Sequence, residues 1–361
     1  MPENWPANRL PVALLFPDEL RLVPRMKTDD VKFMDLALRE ARRGVGMTSP
    51  NPAVGAVIVK GGRVLAKGWH REAGMPHAEI EALRRLKNAG DAKGATIYVT
   101  LEPCCTHGRT PPCTGAIIAA GFRRVVFGAM DPNPAHEGRA VHVLEAAGLA
   151  VTHGVLEDEC TALNEAFNHW VTTGFPFVIA KAGLSLDGRL TRPPGESQWL
   201  TSAASRADAM KLRATVDAII VGAETVRADN PRLTLRGVSG RQPLRVVLTK
   251  SGRLPMDAFL FTDEHKERTL VYRSKILRSV LRDLAKRGCT SVLLEGGGDV
   301  LGQAFDAGIV QRAVFYLAPL LCAGPHVLKG LGAGLSGAAP RIVSPEFRRL
   351  GGDLVISGRI A

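Results

Sequence analysis

Residues 76–83 read PHAEIEAL and residues 100–113 read TLEPCCTHGRTPPC. His77 and Glu79 fall at the start of a predicted helix, Cys104 ends a strand-to-helix loop, and Cys113 opens the next helix just after Pro111-Pro112. A cysteine at a helix N-terminus has its thiolate favoured by the dipole, which suits zinc coordination. One histidine and two cysteines give three protein ligands and leave the fourth tetrahedral position to water, the arrangement of a catalytic zinc rather than a closed structural one. Zinc would bring the pKa of that water toward neutrality. Glu79, two positions from His77, would carry the proton from the attacking hydroxide to a departing amine. Cys105 could replace Cys104 as a ligand, although the Pro-Cys order favours Cys104. Buried free cysteines beside a surface histidine would be the bland account, but it leaves Glu79 and the mixture of ligand types unexplained.

Around these segments the pattern is α/β. Residues 29–43 read as a helix with Phe33, Met34, Leu36, Ala37 and Ala41 on its apolar side. Residues 53–59 and 64–69 read as paired strands about Gly61-Gly62, a turn pair tolerant of positive φ. A helix over 77–88 follows, with Ile80, Leu83 and Leu86 as its expected buried stripe; then come a strand at 95–101, a helix at 112–120 and a strand at 124–128. Residues 157–172 read as one helix that stops at Gly174-Phe175-Pro176, a natural boundary. Beyond it, strands are predicted at 177–182, 217–222, 245–249, 269–272, 291–294 and 312–317, with helices near 202–214, 275–287 and 299–307. The chain of 361 residues thus divides into an unstructured tail at 1–27 and two domains, 28–173 and 174–361.

Composition narrows the class. Hydrophobic residues at 45% and charged residues at 23% exclude a disordered protein, and no apolar run is long enough to span a bilayer. The tail lacks the basic and apolar regions of a secretory signal, so a cytoplasmic protein with reduced cysteines is expected. The net charge of +12 is lopsided: residues 174–361 hold 27 basic and 16 acidic side chains, against 20 and 19 before them. A basic half calls for an anionic partner, and 5% aromatics without interleaved Lys/Arg blocks favour small phosphates over nucleic acid.

His-x-Glu followed by Pro-Cys and a second cysteine is the signature of zinc-dependent deaminases. Eight residues separate Cys104 from Cys113, where the common form has two. That long loop, together with SPNPAVGAVIVK at 49–60 and DPNP at 131–134, resembles the deaminase half of the bifunctional riboflavin-biosynthesis deaminase/reductases over about residues 28 to 155. The resemblance implies a cytidine-deaminase-like αβα domain acting on a diaminopyrimidinone that carries a ribosylamine 5′-phosphate. It also implies that Asn51 contacts the substrate and that His107 and Arg109 lie on its phosphate-bearing side. The family usually reads Cys-Ser-His-His where this chain has Cys104-Cys105-Thr106-His107. His70, after a strand, reads first as a structural residue, with a substrate contact as the alternative.

In the second half KAGLSLDGRL (181–190), GESQWLT (195–201), GAETVRADNPRLTLR (222–236) and LLEGGGDVLGQ (293–303) stand out. The backbone N–H groups of Gly296 to Gly298 could cradle a phosphate, but the run is not the Rossmann fingerprint, and alone it reads as tight packing. In this order the four segments are similar to the reductase half of the same family, which implies a dihydrofolate-reductase-like α/β domain using NADPH. By position Gly183, Trp199, Thr225, Asp229 and the run Gly297, Gly298, Asp299, Val300, Leu301, Gly302 and Gln303 match the cofactor contacts. Ser197, Arg213, Leu233, Arg236 and Glu295 match the substrate contacts. Arg206 and Arg213 lie seven apart on one predicted helix and share a face suited to a ribose 5′-phosphate, although a solvated face would explain Arg206 equally. Lys250 stands where the family commonly has serine beside the cofactor. Of the ionisable residues in these segments, Lys181 with Glu295 is the expected acid/base pair for hydride transfer, and Asp187 and Arg189 belong to a turn.

The expected function is therefore deamination of the phosphorylated pyrimidine followed by NADPH reduction of its ribosyl group, in a homo-oligomer with no nucleic-acid or membrane partner. The competing class is a nucleic-acid-binding or RNA-editing zinc deaminase whose basic second domain grips RNA; it lacks an aromatic stacking platform. A chain with one half decayed is disfavoured by the intact zinc set and the intact EGGG segment.

Overall fold

The computed structural model describes residues 28–106, 111–134, 136, 138–191, 199–322 and 339–361. The expected tail at 1–27 and the candidate residues His107, Arg109 and Ser197 lie outside the described residues.

The first unit runs α1 (Thr28–Ala41), β1 (Gly55–Lys60), β2 (Arg63–Trp69), α2 (Ala78–Arg84), β3 (Thr96–Leu101), α3 (Cys113–Ala119), β4 (Arg124–Ala129), α4 (Arg139–Ala146), β5 (Ala150–Thr152), α5 (Glu157–Leu163) and α6 (Glu165–Thr173). Its sheet has the order β2-β1-β3-β4-β5, antiparallel across β2, β1 and β3 and parallel from β3 to β5. Gly61 and Gly62 both have positive φ, as the hairpin requires. α1 buries Phe33, Met34, Ala37, Leu38 and Ala41, with Leu38 replacing the expected Leu36.

Two expectations fail for physical reasons. α2 ends at Arg84, and it turns Ala78, Glu79 and Ala82 into the protein while Ile80, Leu83 and Leu86 are only half-buried. Small residues are needed on the inner face because the helix lies on the β2 backbone: a Cβ on Gly68 would sit 2.3 Å from the Ala82 nitrogen. The helix expected over 157–172 breaks at Asn164, whose buried side chain accepts from Ala53 N at 2.8 Å and donates to Ala53 O at 2.9 Å. A local hydrophobic period carries no trace of such a long-range bond.

The second unit comprises β6 (Phe177–Ser185), α7 (Ala203–Arg213), β7 (Ala218–Gly222), α8 (Ala223–Asp229), β8 (Leu244–Thr249), α9 (Phe259–Thr262), β9 (Thr269–Arg273), α10 (Leu277–Lys286), β10 (Ser291–Leu294), α11 (Gly298–Asp306), β11 (Arg312–Ala318), β12 (Ile342–Leu350) and β13 (Asp353–Ile360). The eight strands have the order β12-β13-β11-β6-β10-β7-β8-β9, parallel from β11 to β9 and antiparallel at β12 and β13. The inner strands β7 and β10 are covered on both faces, so they are short, almost wholly apolar runs. Ala218 and Ile220 pack under α10 and α11, while Ile219 and Val221 face Ala209 of α7 and Val226 of α8. α8 and the β12–β13 hairpin are elements the sequence did not suggest. β12 is exposed along nearly its whole length and carries Pro345 at a bulge, so it has no alternating pattern to read.

Candidate active sites

In the first unit, His77 is the residue before α2, Cys104 lies on the loop after β3, and Cys113 is the first residue of α3. His77 Nδ1 is 3.5 Å from Cys104 Sγ and 3.3 Å from Cys113 Sγ, and the three donor atoms lie within 4.8 Å of one another. The Cys113 amide donates to Cys104 Sγ at 3.2 Å. Hydrogen bonding from Cys113 and from His77 outweighs burial and brings the Cys104 thiol down to about 4. Two sulfurs, one of them readily ionised, and one imidazole nitrogen in convergent positions fit a zinc ion. Cys105 turns elsewhere, with its sulfur 3.8 Å from His136 Nδ1, so Cys104 is the residue aligned with His77 and Cys113.

Glu79 is buried one helical step from the donors, and burial, reinforced by the negative charge of Cys104, pushes its carboxyl above the usual range. A carboxyl so placed holds a proton more readily than a solvated one, as a proton carrier needs. Asn51 lies on the loop before β1, and its Nδ2 is 3.0 Å from His70 Nε2. His70 Nδ1 is 3.0 Å from the Pro76 carbonyl, which can only accept, so the Nδ1–H donates there and Nε2 accepts from Asn51. Burial lowers the His70 pKa, consistent with this neutral tautomer. The sequence left His70 between two roles; in the structure both its ring nitrogens are engaged, one with Pro76 and one with Asn51.

In the second unit, a cavity of about 830 Å³ opens at the carboxyl ends of β6, β7 and β10, where open parallel sheets bind ligands. Lys181, Gly183, Trp199, Arg206, Arg213, Thr225, Asp229, Leu233, Arg236, Glu295 and Gly297 all line it. Gly298, Asp299, Val300, Leu301, Gly302 and Gln303 are the first turns of α11 and do not line this cavity; Val300 and Leu301 are buried in the core. Arg213 grips Glu295 through two bonds of 2.6 and 2.8 Å, and Lys181 Nζ is 3.5 Å from the same carboxylate. Burial alone would raise Glu295, but Lys181 and Arg213 overcome it and hold the carboxyl at about 2. Glu295 is therefore held as an anion between Lys181 and Arg213.

The guanidinium of Arg206 sits 5.0 Å from the Trp199 ring centroid and donates to the Thr201 carbonyl at 2.6 Å, so Arg206 is more than a solvated helix residue. Arg236 is partly desolvated, which with the charge of Arg213 lowers its pKa; it makes no ion pair among the described residues. Sequence reading did not find Arg232, over the Phe259 ring at 3.8 Å, or Tyr316, whose hydroxyl donates to Asp208 at 2.9 Å. Both lie on the cavity wall; Arg232 falls within the 222–236 segment without being singled out there, and Tyr316 lies outside all four segments.

A zinc-ready donor set with a buried glutamate, joined to a parallel sheet whose cavity is lined with cations, defines a metal-dependent deaminase fused to a reductase. Residues 27–129 match the cytidine and deoxycytidylate deaminase zinc-binding region, and residues 176–353 match the RibD C-terminal domain. Riboflavin biosynthesis protein RibD of Escherichia coli is 40% identical, over 91% of this chain and 98% of its own. That of Mycobacterium tuberculosis is 41% identical, over 92% and 99%. The crystal structure of a diaminohydroxyphosphoribosylaminopyrimidine deaminase/5-amino-6-(5-phosphoribosylamino)uracil reductase from Thermotoga maritima superposes with a TM-score of 0.83 at 33% identity, over 92% of this chain and 99% of that one. The chain belongs to the RibD family of bifunctional riboflavin-biosynthesis deaminase/reductases. The nucleic-acid reading is not supported, and no helix among the described residues is long and apolar enough to cross a membrane.

Proposed function

We propose that residues 28–173 deaminate 2,5-diamino-6-ribosylamino-4(3H)-pyrimidinone 5′-phosphate and that residues 174–361 reduce the product, 5-amino-6-(5-phosphoribosylamino)uracil, at its ribosyl group. The observation that carries this reading is the convergence of His77, Cys104 and Cys113 beside the buried Glu79, in one chain with the cation-lined cavity. His77, Cys104 and Cys113 would hold a zinc ion, which would supply the Lewis acidity that makes a water nucleophilic near neutral pH. Glu79 moves the proton from that water to the departing 2-amino group, so that ammonia leaves and a carbonyl replaces it. Asn51, whose amide nitrogen is held by His70, would hydrogen-bond the pyrimidine.

NADPH bound in the cavity of the second unit would supply the hydride for C1′ as the C1′–O bond of the ribosylamine opens to the iminium. Lys181 delivers a proton to the sugar oxygen, and Glu295 keeps the Lys181 ammonium in position. Trp199, Thr225, Asp229 and Gly297 line the side assigned to the cofactor, and Arg236, free of an acidic partner among the described residues, receives the 5′-phosphate. Arg213 is already bonded to Glu295 and supports the site instead of gripping phosphate. We infer a cytoplasmic homo-oligomer, the oligomeric state being testable by light scattering. Following ammonia release and NADPH oxidation together, with and without a chelator, tests the two-step reading. Chelation should stop ammonia release and spare reduction of separately supplied deaminated substrate; loss of neither would sink it.

A further inference from the structure

The loop between α1 and β1, which carries Asn51, touches the second unit at three points. The Gly46 backbone abuts Ala214, so closely that a Cβ there would sit 1.9 Å from the Ala214 carbonyl oxygen, and the Pro50 ring lies beside Gly288. Ser49 Oγ is 3.3 Å from Thr290 Oγ1. The direction of that last bond follows from its surroundings. Asp217 Oδ2 accepts from Thr290 N at 2.7 Å, Thr290 Oγ1 at 2.9 Å, Ser291 N at 3.0 Å and Ser291 Oγ at 3.1 Å, and Arg241 pairs with the same carboxylate. The Thr290 hydroxyl proton is thus committed to Asp217, and Ser49 must donate to the Thr290 oxygen.

The far end of the loop is held as well. Asn164 bonds both backbone groups of Ala53, and the adjacent Glu165 pairs with Arg312 of β11 at 2.8 Å. Asn51 therefore lies between two props, both of which lead to the second unit.

We propose that the reductase half presets the substrate loop of the deaminase half, with Ser49 and Thr290 as positioning residues for Asn51. The proposal rests on the reading of Asn51 as a substrate contact. Preorganisation of this kind acts on binding: with the prop removed, the loop must be ordered by the substrate itself.

The test uses full-length, zinc-loaded enzyme and steady-state ammonia release from the diaminopyrimidinone phosphate. Ser49→Ala and Thr290→Val are expected to raise KM by about three- to tenfold, the scale of one net hydrogen bond, with kcat changed less than about twofold. Thr290→Ser, which keeps the hydroxyl, is expected to restore the parent KM. Zinc content and NADPH oxidation of deaminated substrate should be unchanged in all three variants. Asn51→Ala separates the two layers of the argument. If it raises KM while Ser49→Ala and Thr290→Val do not, the positioning role is wrong; if it leaves KM unchanged, the Asn51 reading is wrong. Ser49→Ala removes one hydroxyl from a half-buried loop and keeps the test open should Thr290→Val fail to fold.

Discussion

Glu295→Gln removes the carboxylate shared by Arg213 and Lys181 and leaves both cations facing a neutral amide. Its side chain is 7% exposed, and those of Arg213 and Lys181 are 10% and 20% exposed, so water screens the group little. Holding the carboxyl at about 2 instead of its ordinary 4.5 corresponds to about 3 kcal/mol in favour of the folded, ionised form. Removing one partner from a buried ion pair costs about 3–5 kcal/mol, which agrees. For a unit of this size, 3 kcal/mol lowers Tm by about 6–12 °C. Because the folded pKa lies below the unfolded one, the stabilisation is complete above about 4.5 and is lost as pH falls from there through about 2. Calorimetry should therefore find a constant Tm gap between parent and variant from pH 6 to 8, closing on acidification below about pH 4.5. Equal Tm values at pH 7, or a gap that widens in acid, would refute the assignment of Glu295 as the anion holding the two cations together.

Three further outcomes follow from the same geometry. Glu79→Gln should cut ammonia release by about 10²–10⁴-fold, the scale of a lost general acid–base group. Metal analysis should still find zinc, and NADPH oxidation of deaminated substrate should persist. Asn164→Ala strips both backbone groups of Ala53 of their partner and should lower stability in urea by about 2–3 kcal/mol; an unchanged midpoint would show that water replaces the amide at no cost. Arg236→Met should raise KM for the phosphorylated uracil by about ten- to a hundredfold, the scale of a charge-assisted hydrogen bond, and leave KM for its dephosphorylated analogue alone. An equal effect on both would place the phosphate elsewhere.

The zinc donors were legible because metal ligation needs particular atoms, and His77, Cys104 and Cys113 supply them at a recognisable spacing. The parallel strands of the second unit were legible as well, since strands covered on both faces must be apolar throughout. What could not be read was settled by partners far along the chain. The expected stripe on α2 is only half-buried because Gly68 lets the helix lay its small residues on β2, and the break at Asn164 serves Ala53, more than a hundred residues earlier. That Glu295 is held as an anion was hidden for the same reason: it depends on Arg213, at the end of α7. β12 escaped notice because its exposed faces impose no hydrophobic pattern.

Glu102, immediately after β3, accepts hydrogen bonds from the backbone amides of Asp131, Gly138 and Ala140, two of them at the start of α4, which has no side-chain cap of its own. The helix borrows its cap from a strand that also leads into Cys104. A chimera that exchanged the 131–140 segment between relatives without its distant carboxylate acceptor would unseat more than the graft. The strain would pass along two residues to a sulfur the metal depends on, and the damage would show as leaching of the ion from a module whose own ligands had never been touched.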